Sequence, residues 1–161
     1  MIPFCGFDKC LLDANSRIKL SPRVLSDFER SGSDIVLHCL PEGALAVYPE
    51  EVFLEIRGSE DHSARRAGES FVARRTMRRF GSLSMNISIS PQGRLTLPEH
   101  YRDYAALKPG SEVVVVGVEI GVEIWARDRW EEEQLRFREH LKEKDRREMD
   151  ADLNEINRTG E

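Results

Sequence analysis

Two stretches of this chain, "DANSRIKLS" at residues 13–21 and "SPQGRLTLP" at 90–98, follow one pattern 77 residues apart. The same shift carries Leu12 onto Ile89, Arg17 onto Arg94, Leu20 onto Leu97, Val47 onto Ile124, Tyr48 onto Trp125 and Phe53 onto Trp130. Landmarks that all fit a single offset without gaps indicate a duplicated unit, which limits the possible folds more than any composition does. Each copy reads as a strand ("DKCLLD", "NISIS"), a turn ("ANS", "PQG") and a second strand that opens on an arginine ("RIKLS", "RLTLP"). Alternation in "RLTL" is the period-2 mark of a half-buried strand. A proline then starts a short helix ("SPRVLSDF", "PEHYRDYA"), where its missing N–H costs nothing. An apolar run ("DIVLHCL", "EVVVVGV"), a turn near Gly43 or Gly121, and a strand ending in an aromatic residue ("ALAVY", "VEIW") follow, and a helix closes the unit ("PEEVFLEI", "RDRWEEEQLRF"). "VVVVGV" is apolar throughout, which predicts a strand covered on both faces.

A unit of four short strands and two short helices is too small to close its own barrel. Two such units can cover each other's sheet edges by intertwining hairpins. The expected fold class is therefore α+β, β-rich, with two intertwined repeats in one pseudo-twofold β-barrel, flanking short helices and a C-terminal helix. The expected boundaries are 4–55 for the first repeat, 56–83 for a basic helical linker, 84–131 for the second repeat and 132–161 for a charged C-terminal helix and tail.

Within the linker, "RGSEDHSARRAG" predicts a loop and a helix entry, and "ESFVARRTMRRF" predicts a helix anchored by Phe71 and Val72. Between Arg57 and Arg79 seven arginines face Glu60, Asp61 and Glu69, so the middle of the chain is basic although the whole carries a net charge of −5. The plain reading of Arg74, Arg75, Arg78 and Arg79 is a solvated helix face, and the alternative is contact with an anion. After Trp130, the stripe of Trp130, Phe137 and Leu141 breaks at Lys144 and Asp145, which predicts a helix that packs at its start and then frays.

Other function classes find little support. With 161 residues, 40% of them hydrophobic and 33% charged, the chain reads as globular rather than disordered. No apolar run approaches the roughly 18 residues needed to span a bilayer. "MIPFCGFDKCLLD" has neither a basic start nor a long apolar stretch, so no secretory leader and a cytoplasmic location are expected. Cys5, Cys10 and Cys39 are an odd count without paired spacing, which fits small buried or half-buried thiols better than a disulfide or zinc site. His38, His62, His100 and His140 lie far apart, and no nucleotide, hydrolase or metalloprotease motif occurs, so neither an enzyme nor a cofactor or metal is expected.

"LDANSR" with its Asp-x-x-x-Arg pattern, "GRLTLP" followed by "YRDYAAL", "EVVVVGV", "VEIWARDRW" and "ARRAGESFVARRTMRRFGS" together resemble the MraZ family, tandem members of the AbrB-like swapped-hairpin class. The resemblance covers about residues 4 to 131. It implies a transcriptional repressor that binds repeated short elements in its own promoter and acts on a division and cell-wall gene cluster. It further implies a closed homo-oligomeric ring, double-stranded DNA as partner, and a cytoplasmic, nucleoid-associated protein without a membrane partner.

Carried onto this chain, the DNA-binding residues are Asp13, Asn15, Arg17, Lys19, Gly93 and Arg94. An arginine at a turn tip can place its fork on guanine O6 and N7, and Asp13 could brace that of Arg17. The bland alternative is an Asp–Arg pair that only closes the turn. The family turn reads Asp-x-Lys-Gly-Arg; here Asn15-Ser16 replaces Lys-Gly, and Ser90 stands where the second aspartate is expected. Loss of the turn lysine removes a phosphate contact, for which Lys9, Lys19 and Arg23 are the nearby substitutes. Asn15, which tolerates a left-handed backbone, is the residue expected to preserve the bend. The weakened turns and acidic balance leave a second reading open, a ring-forming interaction module that has weakened or lost DNA binding.

Overall fold

A computed structural model describes residues 1–32, 34–58 and 63–160. The loop expected around residues 59–62, with Glu60, Asp61 and His62, lies outside the described residues. Two compact units are present, Met1–Arg127 and Asp128–Glu161, and each is described by itself.

The first unit is α+β with a mostly antiparallel sheet. Its strands are β1 (Phe7–Leu11), β2 (Arg17–Lys19), β3 (Ile35–Cys39), β4 (Leu45–Pro49), β5 (Ser84–Ile87), β6 (Arg94–Thr96), β7 (Glu112–Gly117) and β8 (Val122–Ala126). Helices α1 (Pro22–Ser31), α2 (Glu50–Gly58), α3 (Ala64–Glu69), α4 (Phe71–Ser82) and α5 (Glu99–Tyr104) lie between them. Six strands form one sheet in the order β1-β7-β8-β4-β3-β5, while β2 and β6 form a two-stranded ladder of their own.

The expected closed barrel is not formed by the described residues: the sheet ends on β1 and β5. Both edges run into tight turns that hand the chain over to the separate ladder. Asp13 N–H donates to the Arg17 carbonyl at 2.9 Å, and Ser90 N–H to that of Arg94 at 2.9 Å.

The pairings of β2 with β6 and of β4 with β8 obey the 77-residue shift. Arg17 pairs with Thr96 and Lys19 with Arg94, each pair being the other after the shift, and Ile18 pairs with Leu95. In the large sheet Leu45 pairs with Ile124 and Val47 with Val122, again related by the shift. β1 pairs with β7, and β5 with β3. A strictly uniform offset fails here, however. Phe7 opposite Val116 would map Ser84 onto Cys39, whereas Ser84 faces His38. The slip is returned at the next turn, which has five residues between the paired Cys39 and Leu45 and four between Gly117 and Val122. All five positions of β3 are buried, so no apolar–polar alternation marks the slip in the sequence.

The core joins both halves: Leu12, Ile18, Leu20 and Leu37 pack with Leu95, Leu97, Val113 and Ile124. Val113, Val114 and Val115 of β7 are buried, and so are Tyr48 and Trp125. Helix α1 starts where Ser21 Oγ accepts from Val24 N–H at 3.4 Å with Pro22 in the first turn, and it buries Val24 and Phe28.

Phe71 and Val72 do not anchor α4; they are 62% and 58% exposed. Ala73 and Phe80 are buried instead, with Phe80 stacked on His38 at 5.5 Å and edge-on to Phe53 at 6.2 Å. Cys5 is exposed, Cys10 half-buried and Cys39 buried.

The second unit consists of helix α6, which begins at Arg127 and runs to Thr159. It does not fray at Lys144: Glu143 receives Arg146 at 2.7 Å and Arg147 at 3.2 Å, and Lys144 reaches Glu148 at 3.9 Å. Such pairs one turn apart, on residues of good helix propensity, hold the helix after its apolar stripe ends. Phe137 and Leu141 of that stripe are exposed, and no residue of the helix is buried.

Candidate nucleic-acid interface

The two turns are built alike. In the first, Ser16 N–H donates to the Asp13 carbonyl at 3.0 Å; in the second, Gly93 N–H donates to that of Ser90 at 2.9 Å. Both are three-residue connections whose last loop residue takes a left-handed backbone, with φ of 61° at Ser16 and 78° at Gly93. The left-handed position is Ser16, not Asn15, which sits exposed at the tip. Gly93 has a second constraint: a Cβ there would come within 2.7 Å of Leu25 Cδ1.

Asp13 organises the first turn. Its Oδ1 accepts the N–H groups of Asn15 at 2.8 Å and Arg17 at 2.9 Å, while its Oδ2 accepts Arg17 Nε at 3.2 Å. The Arg17 N–H first, then that of Asn15 and the guanidinium charge hold the Asp13 carboxyl below its usual pKa. In the second turn Ser90 Oγ takes over one of these three bonds, accepting Arg94 N–H at 3.0 Å. The guanidinium of Arg94 has no polar partner among the described residues.

Cross-ladder bonds fix the turns to each other. Leu97 N–H donates to the Ser16 carbonyl at 2.8 Å, and Leu20 N–H to that of Gly93 at 2.9 Å. Ile18 and Leu95 point into the core, which leaves Arg17, Lys19, Arg94 and Thr96 on the outer face of the ladder. Arg17 and Arg94 are diagonal neighbours on that face, about 7–8 Å apart between Cα atoms. Three cations and a hydroxyl thus occupy one two-stranded surface, and its own strands carry no carboxylate; Asp13 at the first tip supplies the brace. A B-DNA major groove admits a two-stranded β-ribbon, and arginine, lysine and threonine are donor types suited to bases and phosphates.

Five of the six expected residues therefore belong to this surface or its tips (Asp13, Asn15, Arg17, Lys19 and Arg94), and Gly93 shapes the second tip. Thr96 was missed. Period-2 alternation in "RLT" and the shift from Lys19 both identify it. Of the substitutes for the missing turn lysine, Lys19 lies on the face. Arg23 is occupied elsewhere, with Nη2 3.2 Å from Asp8 Oδ2 and Nη1 on the Cys5 carbonyl. No group of three or more metal-ligating side chains comes together among the described residues, and no described helix is long and apolar enough to cross a membrane.

A family model described as "MraZ protein, putative antitoxin-like" matches residues 85–152. The "Transcriptional regulator MraZ" of Desulforapulum autotrophicum is 31% identical over 142 residues, which span 88% of this chain and 92% of that relative. That of Heliobacterium modesticaldum is 32% identical over 127 residues, 79% of this chain and 83% of the relative. A shorter match, 50% identical over 60 residues, covers 37% of this chain and 41% of the protein of the same name from Moorella thermoacetica. With similarity on that scale along most of its length, the chain belongs to the MraZ family.

Proposed function

We propose that the protein is a sequence-specific DNA-binding regulator of transcription, a repressor that acts on repeats in its own promoter and on a division and cell-wall gene cluster. The observation that carries this reading is the outer face of the β2·β6 ladder, where Arg17, Lys19 and Arg94 stand together at the ends of two matched turns. Arg17, held by Asp13, reads a guanine; Arg94, unbraced, contacts phosphate; Lys19 replaces the turn lysine. The relatives' name, transcriptional regulator, agrees with this role.

The strand pairings related by the 77-residue shift support a reading of the first unit as two AbrB-like swapped-hairpin repeats about a pseudo-twofold axis through the Ile18–Leu95 pair. We further read the active form as a cytoplasmic, nucleoid-associated homo-oligomeric ring. Phe7 and Leu11, exposed on the open β1 edge, are the apolar residues that favour association between copies.

One observation favours a second reading, an interaction module that has weakened or lost DNA binding: Asn15-Ser16 stands where the family turn has lysine and glycine. A gel shift against the protein's own upstream region, at two salt concentrations, decides between them. Salt-sensitive binding that prefers this region to a shuffled duplex supports the regulator; absence of binding at low salt supports the module.

A further inference from the structure

Helix α4 holds four arginines, Arg74, Arg75, Arg78 and Arg79, and no carboxylate. All four are exposed. Arg74 stands four residues from Arg78, Arg75 four from Arg79 and three from Arg78, so like charges face each other along one side, an arrangement that destabilises a helix. The contrast with α6 is informative. There Arg136, Lys144, Arg146 and Arg147 are neutralised by Glu133, Glu143 and Glu148 one turn away.

The guanidinia of α4 are ordered by other means. Arg74 Nη1 donates to the Ala67 carbonyl at 2.9 Å, Arg75 lies 5.7 Å over the Phe71 ring, and Arg79 lies 5.4 Å over Phe80. Stacking on a ring holds a guanidinium while leaving its edge N–H groups free to donate. Arg78 has no polar partner for its guanidinium among the described residues. The helix itself is fixed from beneath by Ala73 and Phe80 and capped by Ser70 Oγ, which accepts from Ala73 N–H at 3.2 Å. From Arg57 to Arg79 the sequence uses arginine at all seven cationic positions and lysine at none. Arginine is the residue that matches phosphate oxygens with two parallel donors.

We propose that the exposed arginine row of α4 is a second DNA contact, a sequence-independent one that takes backbone phosphates of the duplex outside the bases read from the β2·β6 face. This rests on the DNA-binding reading given above. A row without carboxylates, exposed on a chain of net charge −5, is complementary to a polyanion and repels its own kind.

The test titrates the wild type, Arg74→Gln/Arg78→Gln, Arg74→Lys/Arg78→Lys and Arg17→Ala against the upstream duplex and a shuffled duplex over a range of salt. Oligomeric mass and melting temperature are measured alongside. The glutamine pair is expected to weaken both duplexes by the same factor and to make the slope of log K against log salt shallower by about 2. The lysine pair is expected to keep the wild-type slope, because it keeps the charge. If the glutamine pair binds as the wild type does while Arg17→Ala loses its preference for the upstream duplex, the α4 contact is overturned and the regulator reading stands. If the glutamine pair changes the oligomeric mass and leaves the slope intact, the row serves protein association and the proposal is overturned. If the wild type binds neither duplex, the regulator reading falls and takes this one with it.

Discussion

Ile18 and Leu95 face each other across the β2·β6 ladder, both fully buried, and they are themselves 77 residues apart, so each is the other's counterpart. The pair lies beneath the outer face that carries Arg17, Lys19 and Arg94. Packing at this point therefore joins the two halves beneath the surface and sets the registry of the residues above it.

Truncation there removes methylenes from a closed core. Ile18→Ala and Leu95→Ala should each cost about 2–5 kcal/mol, the range for large aliphatic residues cut to alanine. Because the side chains touch, the double variant should depart from additivity. Urea melts read this directly. Losses below 1 kcal/mol would mean that the ladder is peripheral to stability.

The two turns make a prediction of opposite signs. Ser16 holds φ 61° at a position where Gly93 holds φ 78° in the other copy. A side chain in that region costs roughly 1–2 kcal/mol, part of which the greater freedom of glycine in the unfolded chain cancels. Ser16→Gly should thus stabilise by a few tenths to about 1 kcal/mol. Gly93→Ala should destabilise, since its Cβ would also press on Leu25 Cδ1. Thermal melts of both variants check the pair, and equal signs would contradict the matched-turn geometry.

A third prediction concerns acid. His38 is 4% exposed, with Nδ1 2.6 Å from Ser84 Oγ. Burial first, and then the charge of Arg79, hold its pKa below the ordinary value, against a weaker opposing effect from the Leu83 backbone. An unfolded chain takes up the proton near pH 6.5, before the folded one does. Stability from this group is therefore complete above about 6.5 and is lost as pH falls toward the folded value. The wild type should lose more melting temperature between pH 7.5 and 5.5 than His38→Gln. Parallel profiles would remove His38 from the acid response.

The sequence made the strands and turns legible because period-2 alternation, proline and glycine are local signals. The repeat also showed that Arg17 and Arg94 are equivalent positions. Three features depended on tertiary context. Phe71 and Phe80 are both aromatic residues of one helix, and only the presence of His38 and Phe53 decides that Phe80 is the one buried. The one-residue slip of β3 was hidden because a strand buried on both faces has no alternation to read. Asn15 has the higher preference for a left-handed backbone, yet hydrogen bonds of the Asp13 carboxylate to Asn15 and Arg17 place the bend at Ser16. At the site, Thr96 follows from the same period-2 alternation that exposes Arg94. The partial equivalence of Ser90 and Asp13 does not follow from their types, since the hydroxyl reproduces one of the three bonds the carboxylate makes.

The most direct measurement is a titration of Arg17→Ala and Arg94→Ala against the upstream duplex and a shuffled one, with thermal stability followed in parallel. Asp13 holds the Arg17 guanidinium in place, so less rotamer freedom is lost when it meets a base, whereas Arg94 has no such brace among the described residues. Arg17→Ala should cost roughly 1–3 kcal/mol of specific binding, the range for a bidentate guanine contact. Arg94→Ala should cost less and weaken both duplexes equally, as loss of a phosphate contact does. If Arg17→Ala leaves affinity for the upstream duplex intact, or lowers it only by unfolding the protein, the turn arginine is structural and this surface does not read bases through it.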